Sequence, residues 1–179
     1  QQRLWLSNSF DPILTRDDTD TTYMLGAFTR LTFDLSLNYF KLKGLALTSN
    51  EKYLYFSDYV KGLFRIDIEL QEVQPVMSSK EVVLKGIDGL YAYKNTLIAI
   101  HNGTKPFKVV QYFLNEEGTF IDVARVINRG GESLGTPTLG QVKDGYFYYL
   151  ANAPREAYQN GELQIEDRGL IEIRRIRLD

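Results

Sequence analysis

The sequence contains no cysteine, which excludes a disulfide frame, a zinc–thiolate centre and a cysteine nucleophile. Histidine is nearly absent too, with His101 alone. Neither sign of charge dominates. The formal net charge is −2, so electrostatics gives no reason to expect a nucleic acid or an anionic membrane as partner. No apolar run approaches the roughly 18 residues of a spanning helix. No basic-then-apolar leader opens the chain, so no signal peptide is expected in it, and the opening Gln1-Gln2 is compatible with a cleavage site. No phosphate-binding glycine loop, nucleophile elbow or zinc motif is present. Long amphipathic helices are missing as well. The best candidate, "EVQPVMSSKEVVLKG" (72–86), contains Pro75 and reads as an outer strand plus a loop.

What is present points to β structure. Apolar residues make up 44% of 179, enough for one domain with a real core, which excludes disorder. Twelve Tyr and ten Phe suit pleated, half-buried surfaces. Four apolar runs resemble one another: "RLWLSNS" (3–9), "YLYFSDY" (53–59), "TLIAIHNG" (96–103) and "YFYYLANA" (146–153). Their starts lie 43 to 50 residues apart, the period of a propeller blade. A second run follows each, at 26–35, 62–69, 106–115 and 169–178, and a glycine-containing run precedes three of them, at 44–49, 89–93 and 138–142. Each unit thus reads as inner, middle and third strand, with turns at "SNEK", "YKN", "NEEG" and "KDG". Trp5 and the tyrosine-rich runs read as packing between blades.

The expected fold is an all-β propeller in one domain spanning 1–179, with about four blades near 1–42, 43–85, 86–134 and 135–179. By this reading the chain opens in a middle strand, and the first blade lacks its inner strand. Only eight residues separate Leu35 from Gly44, too few for an outer strand and a crossing, so the ring is expected to be truncated or to lack a segment near 36–42. Missing strands or another chain would complete it.

The stretches "LKGLALTSNEKYLYFSDYVKGLFRIDIE", "GIDGLYAYKNTLIAIHNGTKPFKVVQYFL" and "GTPTLGQVKDGYFYYLANAP" resemble the later blades of the gluconolactonase and senescence-marker-protein (regucalcin-like) superfamily. They are most similar to a bacterial branch of it without an assigned activity. The likeness runs over residues 43 to 179 and, more weakly, 1 to 35. It implies a six-bladed parent and metal-assisted hydrolysis of a lactone or ester by a divalent cation on oxygen ligands: calcium, magnesium or manganese. The compartment stays open, a soluble parent in the periplasm or secreted being one reading. The family ligands are a glutamate of an early blade, an asparagine just before a Gly-Leu inner strand and an aspartate before another. Asp88 in "IDGL" matches the aspartate, which is also the expected base. The asparagine position falls on Lys43 in "LKGL", an ammonium that cannot coordinate a metal. The glutamate's strand is not represented. No cofactor is therefore the expectation for this chain, with a cation at Asp88 as the alternative.

The candidate residues follow from this. Asp88, Lys43, Thr136 and Thr138 are expected at the channel mouth as contacts for a small anionic or carbohydrate-like ligand. The competing reading is that Asp88 caps a turn and pairs with Lys43 or backbone amides. His101 is a candidate general base and Asn102 a candidate ligand contact at the end of a middle strand. Equally, His101 suits an interblade hydrogen bond and Asn102-Gly103 a turn. Asn102 also opens a glycosylation sequon, "NGT". The acidic "TRDDTDTT" (15–22) reads as a solvated loop without the pattern of a calcium loop. "RRIR" (174–177) is too short for a nucleic-acid patch and reads as a strand with a bulge between Ile173 and Ile176. Two functions remain open: binding or hydrolysis of a small molecule at the channel mouth, and a non-catalytic scaffold for ligand or protein binding.

Overall fold

A computed structural model of the chain describes residues 2–7, 14–19, 28–31, 41–130, 135–153, 158–159, 162–163 and 171–178. All regular elements among them are strands, and no helix there is long and apolar enough to cross a membrane. Strands β1 (Gln2–Ser7), β2 (Leu14–Thr19) and β3 (Phe28–Leu31) form a first antiparallel sheet in that order. The second sheet is a four-stranded meander of β4 (Leu42–Leu47), β5 (Tyr53–Asp58), β6 (Gly62–Asp67) and β7 (Glu72–Pro75). After the short β8 (Met77–Ser78), the third sheet repeats the meander with β9 (Ile87–Tyr93), β10 (Thr96–His101), β11 (Lys108–Leu114) and β12 (Phe120–Arg129). The fourth begins with β13 (Thr136–Lys143) and β14 (Tyr146–Ala153) and is joined by β17 (Ile173–Arg177). Between these lies a small hairpin, β15 (Tyr158–Gln159) and β16 (Glu162–Leu163).

The first strands of the four sheets, β1, β4, β9 and β13, lie beside one another in succession. They are the inner strands of four consecutive propeller blades. Each blade has a trailing face toward its predecessor and a leading face toward its successor, set by the period-2 alternation of side chains. Leu54, Phe56, Phe64 and Ile66 fill the trailing face of the second blade. Its leading face, with Tyr55 and Leu63, packs on Ile87, Leu90, Leu97 and Ala99 of the third blade. The third blade's leading face, with Ile98, Ile100 and Val109, packs on Phe147, Tyr149 and Ala151 of the fourth. The core is thus a series of slabs between blades.

Inner strands must crowd. A Cβ at Gly44 would meet the backbone nitrogen of Leu90 and stand 2.6 Å from Leu90 Cβ and 2.8 Å from Gly89 C, so only glycine lets β4 lie this close to β9. Ser57 fastens the same seam: Gly44 N–H donates to its Oγ at 2.8 Å, and the Oγ–H donates to Ile87 O at 3.2 Å. The outer rim is fastened too. β8 leaves the second blade and pairs in parallel with the start of β12, the outer strand of the third.

Three expectations are corrected. β1 is the inner strand of its blade, because it is the strand lying beside β4, so the opening run is not a middle strand. The acidic segment is not all loop, since Asp17 and Asp18 belong to β2 and pair with Leu4 and Arg3 (Asp20 lies outside the described residues). β17 carries no bulge: its register with β14 is unbroken from Arg177 to Ile173, and Ile173 simply takes the exposed side of the strand. The stretch near 36–42 lies outside the described residues up to residue 40, and β4 opens at Leu42. Glu72–Pro75 does form an outer strand, as read.

Candidate functional site

The register places Lys43 and Asp88 at equivalent points. Leu42 pairs with Asp58 and Leu45 with Phe56 in the second blade, while Ile87 pairs with His101 and Leu90 with Ala99 in the third. "LKGL" and "IDGL" are therefore the same turn of two successive inner strands. At this same level all three inner strands β4, β9 and β13 slip in register. An extra residue there re-aims a side chain out of the pleat. The irregularities direct Lys43, Asp88 and Thr138 toward one recess of about 450 Å³ at the end of the arc's axis. Leu45, Tyr91 and Leu139 add its apolar lining.

Asp88 is the hub. Its Oδ1 lies 3.5 Å from the Lys43 ammonium, and its Oδ2 accepts from Thr138 Oγ1 at 3.2 Å and from Asn102 Nδ2 at 2.8 Å. Asn102 is buried and does not line the recess; it supports Asp88 from behind. Its Nδ2 also donates to Pro137 O at 3.0 Å, and its Oδ1 accepts from Tyr59 OH at 3.2 Å. That network sets which way the amide points. It runs from the second blade through the third to the fourth. It also occupies the nitrogen that the sequon would glycosylate.

Tyr91, on the recess wall, accepts from Gly140 N–H at 2.7 Å, and burial raises its pKa, so it stays a neutral phenol.

His101 goes elsewhere. It has no exposed surface and lies with Ile87 and Tyr112 in the slab between second and third blades. Tyr112 OH donates to Val83 O at 2.6 Å, so its oxygen must accept from His101 Nε2–H at 2.5 Å. Burial first, and then the facing Lys108 ammonium, lower the His101 pKa to about 4. A neutral, enclosed imidazole spent on Tyr112 is not positioned as a general base for the recess. Thr136 is not among the lining residues either.

The structure therefore brings together Lys43, Asp88, Thr138 and, behind them, Asn102, and leaves His101 and Thr136 apart. Sequence reasoning missed Tyr59 and Tyr91. Tyr59 and Asn102 stand at matching ends of β5 and β10, so laying the repeats over one another is the signal that finds the pair.

The donor set does not fit the divalent cation that the resemblance implies. Hard cations of this kind take about six oxygen ligands. Here the Asp88 carboxylate faces an ammonium, and Asn102 offers it an N–H rather than its oxygen. Among the described residues no cluster of three or more His, Asp or Glu could hold a metal.

No family model and no curated protein sequence matches the chain significantly. Solved structures do match. A crystal structure of a nidogen/laminin complex superposes with a TM-score of 0.62 at 12% identity, over 82% of this chain and 51% of that one. A protein of unknown function from Bacteroides thetaiotaomicron gives 0.60 at 18% identity, over 84% and 40%. An auxiliary nutrient binding protein from Bacteroides ovatus gives 0.53 at 16% identity, over 78% and 40%. The chain thus spans about half or less of the length of the structures it matches. Identities this low speak for the fold alone, and the shared fold is the β-propeller. The chain is accordingly an all-β arc of propeller blades in which equivalent residues of neighbouring inner strands, Lys43 and Asp88, meet at the axis.

Proposed function

We propose that the recess binds a small hydroxyl-rich molecule, anionic or carbohydrate-like, through Lys43, Asp88 and Thr138. One observation carries this reading: an ammonium and a carboxylate stand 3.5 Å apart at the opening of a recess of about 450 Å³. A sugar hydroxyl both donates and accepts. Asp88 has lone pairs for the first and Lys43 has N–H groups for the second. Asn102 and Thr138 hold the carboxylate in place before a ligand arrives, which lowers the ordering cost of binding. Leu45, Tyr91 and Leu139 supply apolar surface for a sugar-like ring, as small-molecule sites generally do. The printed name of one similar structure, a nutrient binding protein, agrees with a binding role.

Hydrolysis of a lactone or ester at the same recess is the second reading, supported by the opening of Asp88, the expected base, onto the recess. Its metal-assisted form finds no ligand set here. The scaffold reading is supported by the engagement of both Asp88 oxygens within the protein. Calorimetric titration with sugar acids, their lactones and neutral sugars tests the proposal. At least one class should bind, and Lys43→Ala and Asp88→Asn should each weaken it about tenfold or more, the worth of one charged hydrogen bond. Absence of binding across the panel, or equal affinity in both variants, would refute it. Product analysis with the lactones, with and without calcium, magnesium or manganese, separates hydrolysis from binding.

A further inference from the structure

A second pocket lies at the other end of the same inner strands. Lys43 and Asp88 stand near the starts of β4 and β9, whereas residues 48–50 and 94–95 follow their ends, about 20 Å away at the rise of an extended strand. There the β4–β5, β9–β10 and β11–β12 turns enclose a groove of about 260 Å³. Its walls are built from residues between 48 and 118, in the second and third blades.

The floor of this groove is apolar. Tyr55 and Leu97 are buried there, and Ala92 and Leu114 pack against the same slab. Tyr55 OH donates to Gly118 O at 2.9 Å, and burial pushes its pKa up to about 12, so the floor carries no charge. The rim is polar, and its hydrogen bonds fix what it has left to offer. Asn50 Oδ1 accepts from Thr48 Oγ1 at 2.7 Å and from Lys52 N–H at 3.1 Å, which leaves the Nδ2 hydrogens to donate. Asn95 Nδ2 donates to Leu114 O at 3.1 Å, which leaves Oδ1 to accept. The Lys94 ammonium rests 5.0 Å from the centre of the Tyr93 ring, and Glu116 is exposed on the same rim. Among the described residues, neither Lys94 nor Glu116 forms an ion pair. One groove thus presents a cation with an amide donor and a carboxylate with an amide acceptor, around an apolar floor.

We infer that this groove binds an α-amino acid with an apolar side chain. The ligand's carboxylate accepts from Lys94 and Asn50, its ammonium donates to Glu116 and Asn95 Oδ1, and its side chain lies on Tyr55, Leu97 and Leu114. A few placed polar groups around an apolar lining are the usual anatomy of a small-molecule site. The volume falls just below the range of about 300–1,000 Å³ that larger ligands occupy, as an amino acid requires. A neutral sugar would leave both charges unanswered, and an amine or an acid alone would leave one. The groove is separate from the recess, so its occupation does not rest on what the recess binds.

Calorimetric titration of the full 179-residue chain with L-leucine and L-phenylalanine reads the outcome. At least one should bind. Analogues that keep the side chain and one charge should bind at least tenfold more weakly: isoamylamine and isocaproate for leucine, phenethylamine and hydrocinnamate for phenylalanine. Lys94→Ala and Glu116→Gln should each weaken binding tenfold or more, whereas Lys80→Ala, at an exposed lysine outside the groove, should leave it unchanged. Far-ultraviolet circular dichroism and melting verify that the variants fold. With the amino acid bound, hydrogen exchange should slow together in peptides covering the β4–β5, β9–β10 and β11–β12 turns. Absence of binding by both amino acids at millimolar concentration overturns the inference. So does an amine or acid that binds as tightly as its amino acid, an affinity indifferent to Lys94→Ala and Glu116→Gln, or exchange slowed around Lys43 and Asp88 instead of these turns.

Discussion

Replacing Gly44 with alanine adds a single methyl group at the tightest seam of the arc. That methyl would meet the Leu90 backbone nitrogen, with Leu90 Cβ at 2.6 Å and Gly89 C at 2.8 Å. Two of these three atoms are main chain and the third is fixed to it, so no side-chain rotation relieves the clash. β4 and β9 must separate by roughly an ångström, and overpacking of this kind costs about 1–3 kcal/mol. The separation also stretches the two hydrogen bonds of Ser57, each worth about 0.5–1.5 kcal/mol. A loss near 3 kcal/mol is expected, read as a lower denaturant midpoint at unchanged slope. For a domain of this size it corresponds to a drop in Tm of roughly 6–12 °C. Lys43 and Asp88 flank the same seam, so the variant should also bind the recess ligand more weakly. Stability within about 0.5 kcal/mol of wild type, the scatter of a harmless surface change, would refute the close-approach argument.

Two further outcomes follow from buried polar groups. Asn102→Leu removes the amide that joins Tyr59, Asp88 and Pro137 and leaves a buried carbonyl unpaired, so denaturation should show a loss of about 2 kcal/mol and calorimetry a weaker ligand. An Asn102→Leu protein that binds with wild-type affinity would remove Asn102 from the role of holding Asp88. For His101, the folded pKa of about 4 lies below the 6.5 of the unfolded chain, so the unfolded chain binds the extra proton. Stability is full above pH 6.5 and falls as pH drops toward 4, by roughly 3 kcal/mol. Denaturant midpoints across that window should slope less in His101→Leu, and identical slopes in the two proteins would contradict the burial argument.

Much of this was legible before any coordinates. "LKGL" and "IDGL" lie 45 residues apart, each ahead of the next apolar run, and they prove to be the same turn of two inner strands. Their glycines announced crowding at the axis. Other features were hidden for physical reasons. β2 carries "LTRDDT", and acidic residues in a strand look like a loop when only local preference is read. The partners that hold such a strand are distant in sequence. β1 resembles the middle strands in composition, and only its position beside β4 marks it as inner. The register slips that aim Lys43, Asp88 and Thr138 leave no sequence mark short of a pairing partner. At Ile173 the change of apolar parity suggests a bulge, but the register is unbroken and the isoleucine stands on the exposed side of the strand.

The strap formed by β8 has a consequence for how the arc opens. Most of a propeller's contacts join nearest neighbours, so its stability resembles a sum over blades plus a coupling term at each seam. Between the second and third blades that coupling acts at both ends of the radius: Ser57 at the hub, and at the rim the parallel pairing of Met77 and Ser78 with Phe120 and Ile121. Met77 N–H donates to Thr119 O and Ser79 N–H to Ile121 O, so the second blade's exit segment completes the third blade's sheet. Neither blade can therefore unfold without stripping an edge from the other. The two should exchange their amides as one cooperative unit of about ninety residues, and forced extension should release them in a single step.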